Sequence, residues 1–329
     1  MKSVAPRRQL VRYYAPVGLS QLFRPLEKRK PRPTLDVKYF LDDDHVLRFS
    51  AREALGIPEQ TLLLAILSLV GEQYATIGDE AILLDTDARD LPGKLWAKLY
   101  PGGDVCDRRA LRVETTWDEL SRRCGTAVGG SANAVHKENM RRLCEVVVWE
   151  EKLQRRTSQQ SFLVVWLVGD DSHIHLAVNH RLASAFFVGE QYARVMLNER
   201  LSLGSDIARH VHAFLSTCIR SGHKLVLGIP KLAERAWPSN HDTAPEGTIR
   251  RRKGQLVAAL LAIGRLPNWT VAFDSRDLVT VYRSQNAVRE VPSVPAPRLF
   301  KECRLLVRQD VPSEVNESQP DVSGLFREK

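Results

Sequence analysis

TWDELSRRCGTAVGGSANAVHKENMRRLCEVVVWE, residues 116–150, reads as a helix, a glycine turn, a second helix and the start of a strand. Thr116 is placed to cap the first helix, Trp117–Cys124, whose Leu120 points inward while Arg122 and Arg123 face water. Gly125 stops that helix and Gly129-Gly130 make the turn. Ser131 caps a second helix that runs to about Cys144. His136, Met140, Leu143 and Val147 repeat on one face at helical spacing, so that face belongs to the core. Asn133, Lys137 and Arg141 form a polar stripe on the other side, and Asn and Arg match the major-groove edges of adenine and guanine. Cys144–Glu150 and Ser161–Trp166, rich in Val and Trp, then read as the strands of a hairpin. The polar stretch Lys152–Gln160 between them, with Arg155 and Arg156, reads as a wing.

The same order recurs at PKLAERAWPSNHDTAPEGTIRRRKGQLVAALLAIGRL, residues 230–266. Pro230 opens a helix to Trp237 with Leu232 inward, and the polar loop Pro238–Glu246 follows. Thr248 is expected to open a long helix buried along Ile249, Leu256, Leu260 and Ile263. Arg250, Arg251, Arg252, Lys253 and Gln255 crowd its first two turns, where a docked recognition helix reaches the major groove. Trp269–Phe273 and Leu278–Tyr282, joined by Asp274–Asp277, make a second hairpin. A basic run on one helix is also what any solvated face looks like. The full order of helix, turn, basic helix and hairpin, met twice, is the stronger signal for duplex DNA.

The 329 residues suffice for about two domains. The net charge of +9 is uneven. Residues 1–33 hold nine Lys or Arg and one acid, residues 284–329 hold seven of each sign, and the body between them is nearly neutral, with 32 basic and 31 acidic side chains. Attraction to an anion must therefore come from local patches and from the arm, where Lys28-Arg29-Lys30-Pro31-Arg32 can add phosphate contacts. Both ends are proline-rich and are expected to be mostly unstructured.

No early apolar run is long enough for a signal peptide, and Leu62–Val70 is too short to cross a bilayer. The five cysteines lack CxxC spacing and read as reduced thiols in a cytoplasmic protein with no membrane partner. Leu35–Leu41 and His45–Phe49 form a hairpin around Asp42–Asp44, and Pro58–Tyr74 forms a helix lined by Leu62, Ile66, Leu69 and Val70. Ser205 caps a helix to Arg220. The expected fold class is α+β with two tandem winged-helix domains, 35–179 and 180–283, between a flexible arm, 1–34, and a mostly unstructured tail, 284–329.

The chain also resembles a known family, the replication initiator protein C (RepC) of IncQ-type broad-host-range plasmids. The resemblance runs from about Leu10 to Arg283. It is carried by Ala15-Pro16…Gly18-Leu19…Leu22-Phe23-Arg24, Leu35-Asp36-Val37, Arg48-Phe49-Ser50, Leu55-Gly56 and the Leu62–Gly71 helix. Further on come Leu176-Ala177-Val178-Asn179, Trp237-Pro238-Ser239, Gly247-Thr248-Ile249-Arg250-Arg251-Arg252 and Trp269-Thr270-Val271. The Gly78–Arg108 segment and the stretch after Arg283 depart from it. The resemblance implies two winged-helix domains that recognise directly repeated sequences, iterons, in double-stranded DNA at a plasmid's vegetative origin. It also implies local origin opening and loading of the plasmid-encoded helicase, with a plasmid primase starting synthesis. Two recognition helices in successive major grooves need a site of about 20 bp.

The competing readings are a winged-helix transcriptional regulator of plasmid genes and a nicking enzyme. The latter rests on His173-Ile174-His175, with Tyr13-Tyr14 or Tyr192 as nucleophile. An alternating strand places any two histidines at this spacing on one face, and the resembled family lacks them. No GxxxxGK[ST] motif occurs, so an ATPase is not expected. The expectation is a non-enzyme without cofactor, metal or small-molecule substrate. His210 and His212, two apart on a helix, are expected at the surface.

Overall fold

The structure, a computed structural model, describes residues 10–27, 30–84, 89–102, 108–155, 157–169, 173–187, 192–238, 244–274 and 277–285. The described chain begins with β1 (Leu10–Tyr13), α1 (Ala15–Leu19), β2 (Leu35–Phe40), β3 (His45–Ala51) and the long helix α2 (Ile57–Ile77). A 3-10 turn leads to β4 (Ile82–Leu83), α3 (Leu91–Leu99) and β5 (Ala110–Thr115). The first helix pair, α4 (Trp117–Arg123) and α5 (Gly130–Cys144), precedes β6 (Val147–Lys152), β7 (Thr157–Phe162), β8 (Val164–Val168) and β9 (Ile174–Val178). After these come α6 (His180–Ser184), β10 (Ala193–Met196), α7 (Leu197–Ser202) and α8 (Asp206–Cys218). The chain then forms β11 (Lys224–Gly228), the second helix pair α9 (Ile229–Ala236) and α10 (Glu246–Gly264), and the hairpin β12 (Trp269–Phe273) and β13 (Leu278–Arg283).

The fold is α+β. Its sheets are antiparallel, in the orders β2-β3-β6-β7, β4-β5-β9-β8, β11-β13-β12 and the two-stranded ribbon β1-β10. Helix α2 lies at the centre, against β1, β5, α4, α5 and α8. Pro58 sits in its first turn, and the Glu59 carboxylate accepts a 2.9 Å hydrogen bond from the Gly56 amide, which satisfies an otherwise orphaned donor. Leu62 through Leu67 have no exposed surface, so this stretch of α2 is buried on every side rather than on the one face expected. Each such leucine or isoleucine contributes roughly 1.5–3 kcal/mol. Ile57–Ala81 is long and apolar enough, by length and composition, to cross a membrane. In this fold its apolar side chains between Ile57 and Val70 pack inside the protein.

Several expectations change. The arm expected to be flexible over 1–34 is part of the fold from Leu10 onward: β1 pairs with β10, and Val11, Tyr13, Leu22 and Phe23 are buried. The alternation Leu10-Val11-Arg12-Tyr13 is a strand signal that the surrounding Pro and Arg masked. The first hairpin is tighter than expected: its second strand starts at Thr157 rather than Ser161, pairing Val147 with Phe162 through Lys152 with Thr157. It is widened by β2 and β3 into a four-stranded sheet, while Val164–Val168 turns away at Leu163 to join β9. His210 and His212 are buried, not at the surface, because α8 has neighbours on several sides: α10, β10, α1, α7, α9 and α2.

Candidate nucleic-acid interface

The first helix pair forms as its sequence directs. The Thr116 hydroxyl accepts from the Glu119 amide at 3.2 Å, and Leu120 is fully buried. Gly125 (φ 69°) and Gly129 (φ 140°) take backbone conformations that favour glycine, and they make the turn. Helix α5 begins at Gly130, so Ser131 lies just inside it rather than capping it.

The three residues of the expected polar stripe have separate fates. Asn133 is tied to the preceding helix: its Oδ1 accepts from Ser121 Oγ and its Nδ2 donates to Asp118 Oδ1, both at 3.1 Å. Arg141 is bound to Glu138, Glu145 and Glu53. Carboxylates i−3 and i+4 lie against the arginine, which stays part-exposed, and a buried serine binds the amide. Lys137 stays exposed, its ammonium 5.7 Å from the Trp117 ring centre. Arg155 is exposed at the hairpin turn, and Arg156 lies outside the described residues.

The second helix pair carries more open charge. Helix α10 begins at Glu246, two residues ahead of the expected start, with Thr248 half-buried in its first turn. Arg250, Arg251 and Gln255 are exposed, and Arg250 keeps a loose 3.5 Å pair with Glu246. Lys253 is exposed but binds Asp277 at 2.7 Å, linking the helix to the tip of its hairpin. Arg252 departs from expectation. It is buried, with its guanidinium 5.1 Å from the Trp237 ring centre. Helical phase explains this, since Arg252 shares the inward stripe of Leu256, Ala259, Leu260 and Ile263.

A buried glutamate fixes each hairpin to the body. In the first unit Glu150 on β6 meets His180 and Arg181, each at 2.6 Å, and Arg108 at 3.6 Å. Burial alone would raise its pKa, but these partners hold the carboxyl far below the usual carboxylate range. In the second unit Glu199 on α7 accepts from Asn268 (2.7 Å) and Trp269 (2.9 Å) on the hairpin and lies 3.2 Å from His212. Burial opposes its ionisation, yet these hydrogen bonds bring its pKa to about 2. Sequence reading missed both ties, because the partners lie 30 to 70 residues apart.

The His-hydrophobic-His pair faces Glu114 on β5, 2.8 Å from His173 and 3.7 Å from His175. Among the described residues no group of three or more His, Cys, Asp or Glu is arranged to hold a metal ion. Cys124 and Cys144 are thiols whose pKa burial pushes up to about 12, so they are poor nucleophiles.

The sequence profile of the family described as replication protein C (RepC) matches residues 11–283. The chain belongs to the RepC family. It is thus a RepC-type replication initiator. The match starts at the second residue of β1 and ends at the last residue of β13. No curated protein matches the sequence. Among solved structures, domains 2 and 3 of RctB align with a TM-score of 0.47 at 10% identity, over 79% of this chain and 94% of that one. The Pi initiator protein in complex with iteron DNA aligns with a TM-score of 0.44 at 10% identity, over 84% and 97% of the two chains.

Proposed function

We propose that this RepC-family initiator, of the IncQ type, binds directly repeated double-stranded sequences at a plasmid's vegetative origin with both helix–turn–helix units. Each unit with its hairpin acts as a winged helix, the first within 35–179 and the second within 180–283. The observation that carries this reading is the repeated order α4, α5, β6–β7 and α9, α10, β12–β13, with exposed basic side chains on the second helix of each pair, Lys137 on α5 and Arg250, Arg251 and Lys253 on α10. Arg250, Arg251, Gln255 and Lys137 are the base-reading candidates, and Arg155 and Lys253 are the backbone contacts. Binding strains the adjacent AT-rich DNA and presents it, in the cytoplasm, to the plasmid-encoded helicase and primase.

Nuclease footprinting across the whole plasmid tests this. Protection of tandem direct repeats supports it. Protection of a promoter palindrome alone favours a transcriptional regulator, and nicked product from supercoiled origin DNA with Mg²⁺ favours a nicking enzyme.

A further inference from the structure

The arginines of this protein differ in what holds them. Arg123, Arg141 and Arg142 lie against carboxylates, which cancel their charge. Arg12, Arg109 and Arg194 rest instead on aromatic rings and carbonyl oxygens. The Arg12 guanidinium lies 4.8 Å from the Tyr192 ring centre and donates to the Phe186 carbonyl at 3.3 Å. Arg194 lies 5.6 Å from the same ring and donates to the Tyr192 hydroxyl at 3.4 Å. Arg109 lies 4.2 Å over the ring of Phe187, the neighbour of Phe186. Among the described residues, none of the three forms an ion pair with a carboxylate. A ring holds a planar guanidinium in place without cancelling its charge, and leaves its edge N–H groups for a phosphate.

The ribbon sharpens the point. Arg12 stands directly opposite Arg194 in the β1–β10 register, and like charges directly opposite each other destabilise a strand pair. The pKa of nearby Arg220 is lowered, first by burial and then by the charge of Arg194. The ribbon is also tied to both hairpins. Arg283 of β13 donates to the Arg194 carbonyl at 2.9 Å, and Arg181, on the helix leading to Phe186, holds Glu150 of β6. Phe187 is buried and Tyr192 already carries two guanidiniums, so the strip offers phosphate contacts rather than ring faces for stacked bases.

We infer that Arg12 and Arg194 on the β1–β10 ribbon, with Arg109 just before β5, form a sequence-independent phosphate-binding strip that takes the backbone of duplex DNA. The inference rests on the duplex-binding reading above and adds a contact outside both helix–turn–helix units.

The test uses the full chain, a random-sequence duplex of about three helical turns, and a fluorescence titration over a range of NaCl concentrations. The variants are Arg12→Gln/Arg194→Gln and Arg194→Glu. Each lost phosphate contact lowers the salt slope by about 0.9, so the double variant should lose about two units of slope. Its preference for origin DNA over random DNA should stay unchanged. Arg194→Glu replaces a like-charge pair with an opposite-charge pair. It should melt at or above the wild-type temperature while losing roughly tenfold or more in duplex affinity at low salt. Unchanged slope and affinity in both variants overturn the strip. So does a melting loss in Arg194→Glu, which would make Arg194 a structural residue. So does a loss confined to single-stranded DNA. Wild-type protein that fails to bind any duplex would instead overturn the reading beneath it.

Discussion

Asn133 and Arg141 have the right chemistry and the right helical phase to read bases, but each is already engaged by neighbours within the protein. Ser121, which shares its proton with Asn133, is fully buried, so the asparagine is part of the joint between α4 and α5. Asn133→Ala should cost about 1–3 kcal/mol of stability, read by urea denaturation, with little change in sequence preference. Unchanged stability with lost preference would restore Asn133 as a base reader. Arg251 is the contrary case, exposed in the first turns of α10 with no carboxylate partner among the ion pairs of the described residues. Arg251→Ala should lose about 1–3 kcal/mol at one base position of the site and little elsewhere. An equal loss on every sequence would make it a phosphate contact. Sequence phase finds which face a residue is on; it does not find which acid neighbour has claimed it.

At the scale of elements, helix α8 shows how burial creates pH sensitivity. His210 is buried with both ring nitrogens unpartnered, and burial, reinforced by Arg235 and Arg200, lowers its pKa to about 3. His212, His180, His136 and His45 are lowered too, burial first in each. Below an unfolded-state pKa of about 6.5 the unfolded chain takes up protons that the folded chain refuses, so stability is full above that pH and falls below it. Each such histidine adds up to about 1.4 kcal/mol per pH unit. His210→Gln should therefore flatten the decline in denaturation stability between pH 6.5 and 5, while Glu199 adds its own loss only below about pH 4.5. The same slope in wild type and variant would contradict this. The signal that misplaced these histidines was local. Two residues apart on a helix look like two faces, one of them wet, and only the neighbours packed around α8 show that both faces are dry.

For the whole molecule, what was legible in the chain is what depends on nearby residues. The β2–β3 and β12–β13 hairpins, the core helix α2, and both helix pairs follow from alternation, capping and glycine turns close in sequence. What was not legible depends on distant partners. The four-stranded sheet needs β3 beside β6, and the β1–β10 ribbon joins residues 180 or more positions apart. Arg252 looked like part of an open basic run until its partner ring, Trp237, was in place. The body is nearly neutral by count, and the first turns of α10 gather exposed basic side chains in Arg250, Arg251 and Lys253.

On the proposed reading, one repeat is read by both units at once. Methylation interference on a single isolated repeat tests it most directly. Two patches of interfering guanines are expected on one face of the duplex, centred about one helical turn apart, with Arg251→Ala weakening only one of them. A single patch, or two patches that Arg251→Ala weakens equally, would contradict it.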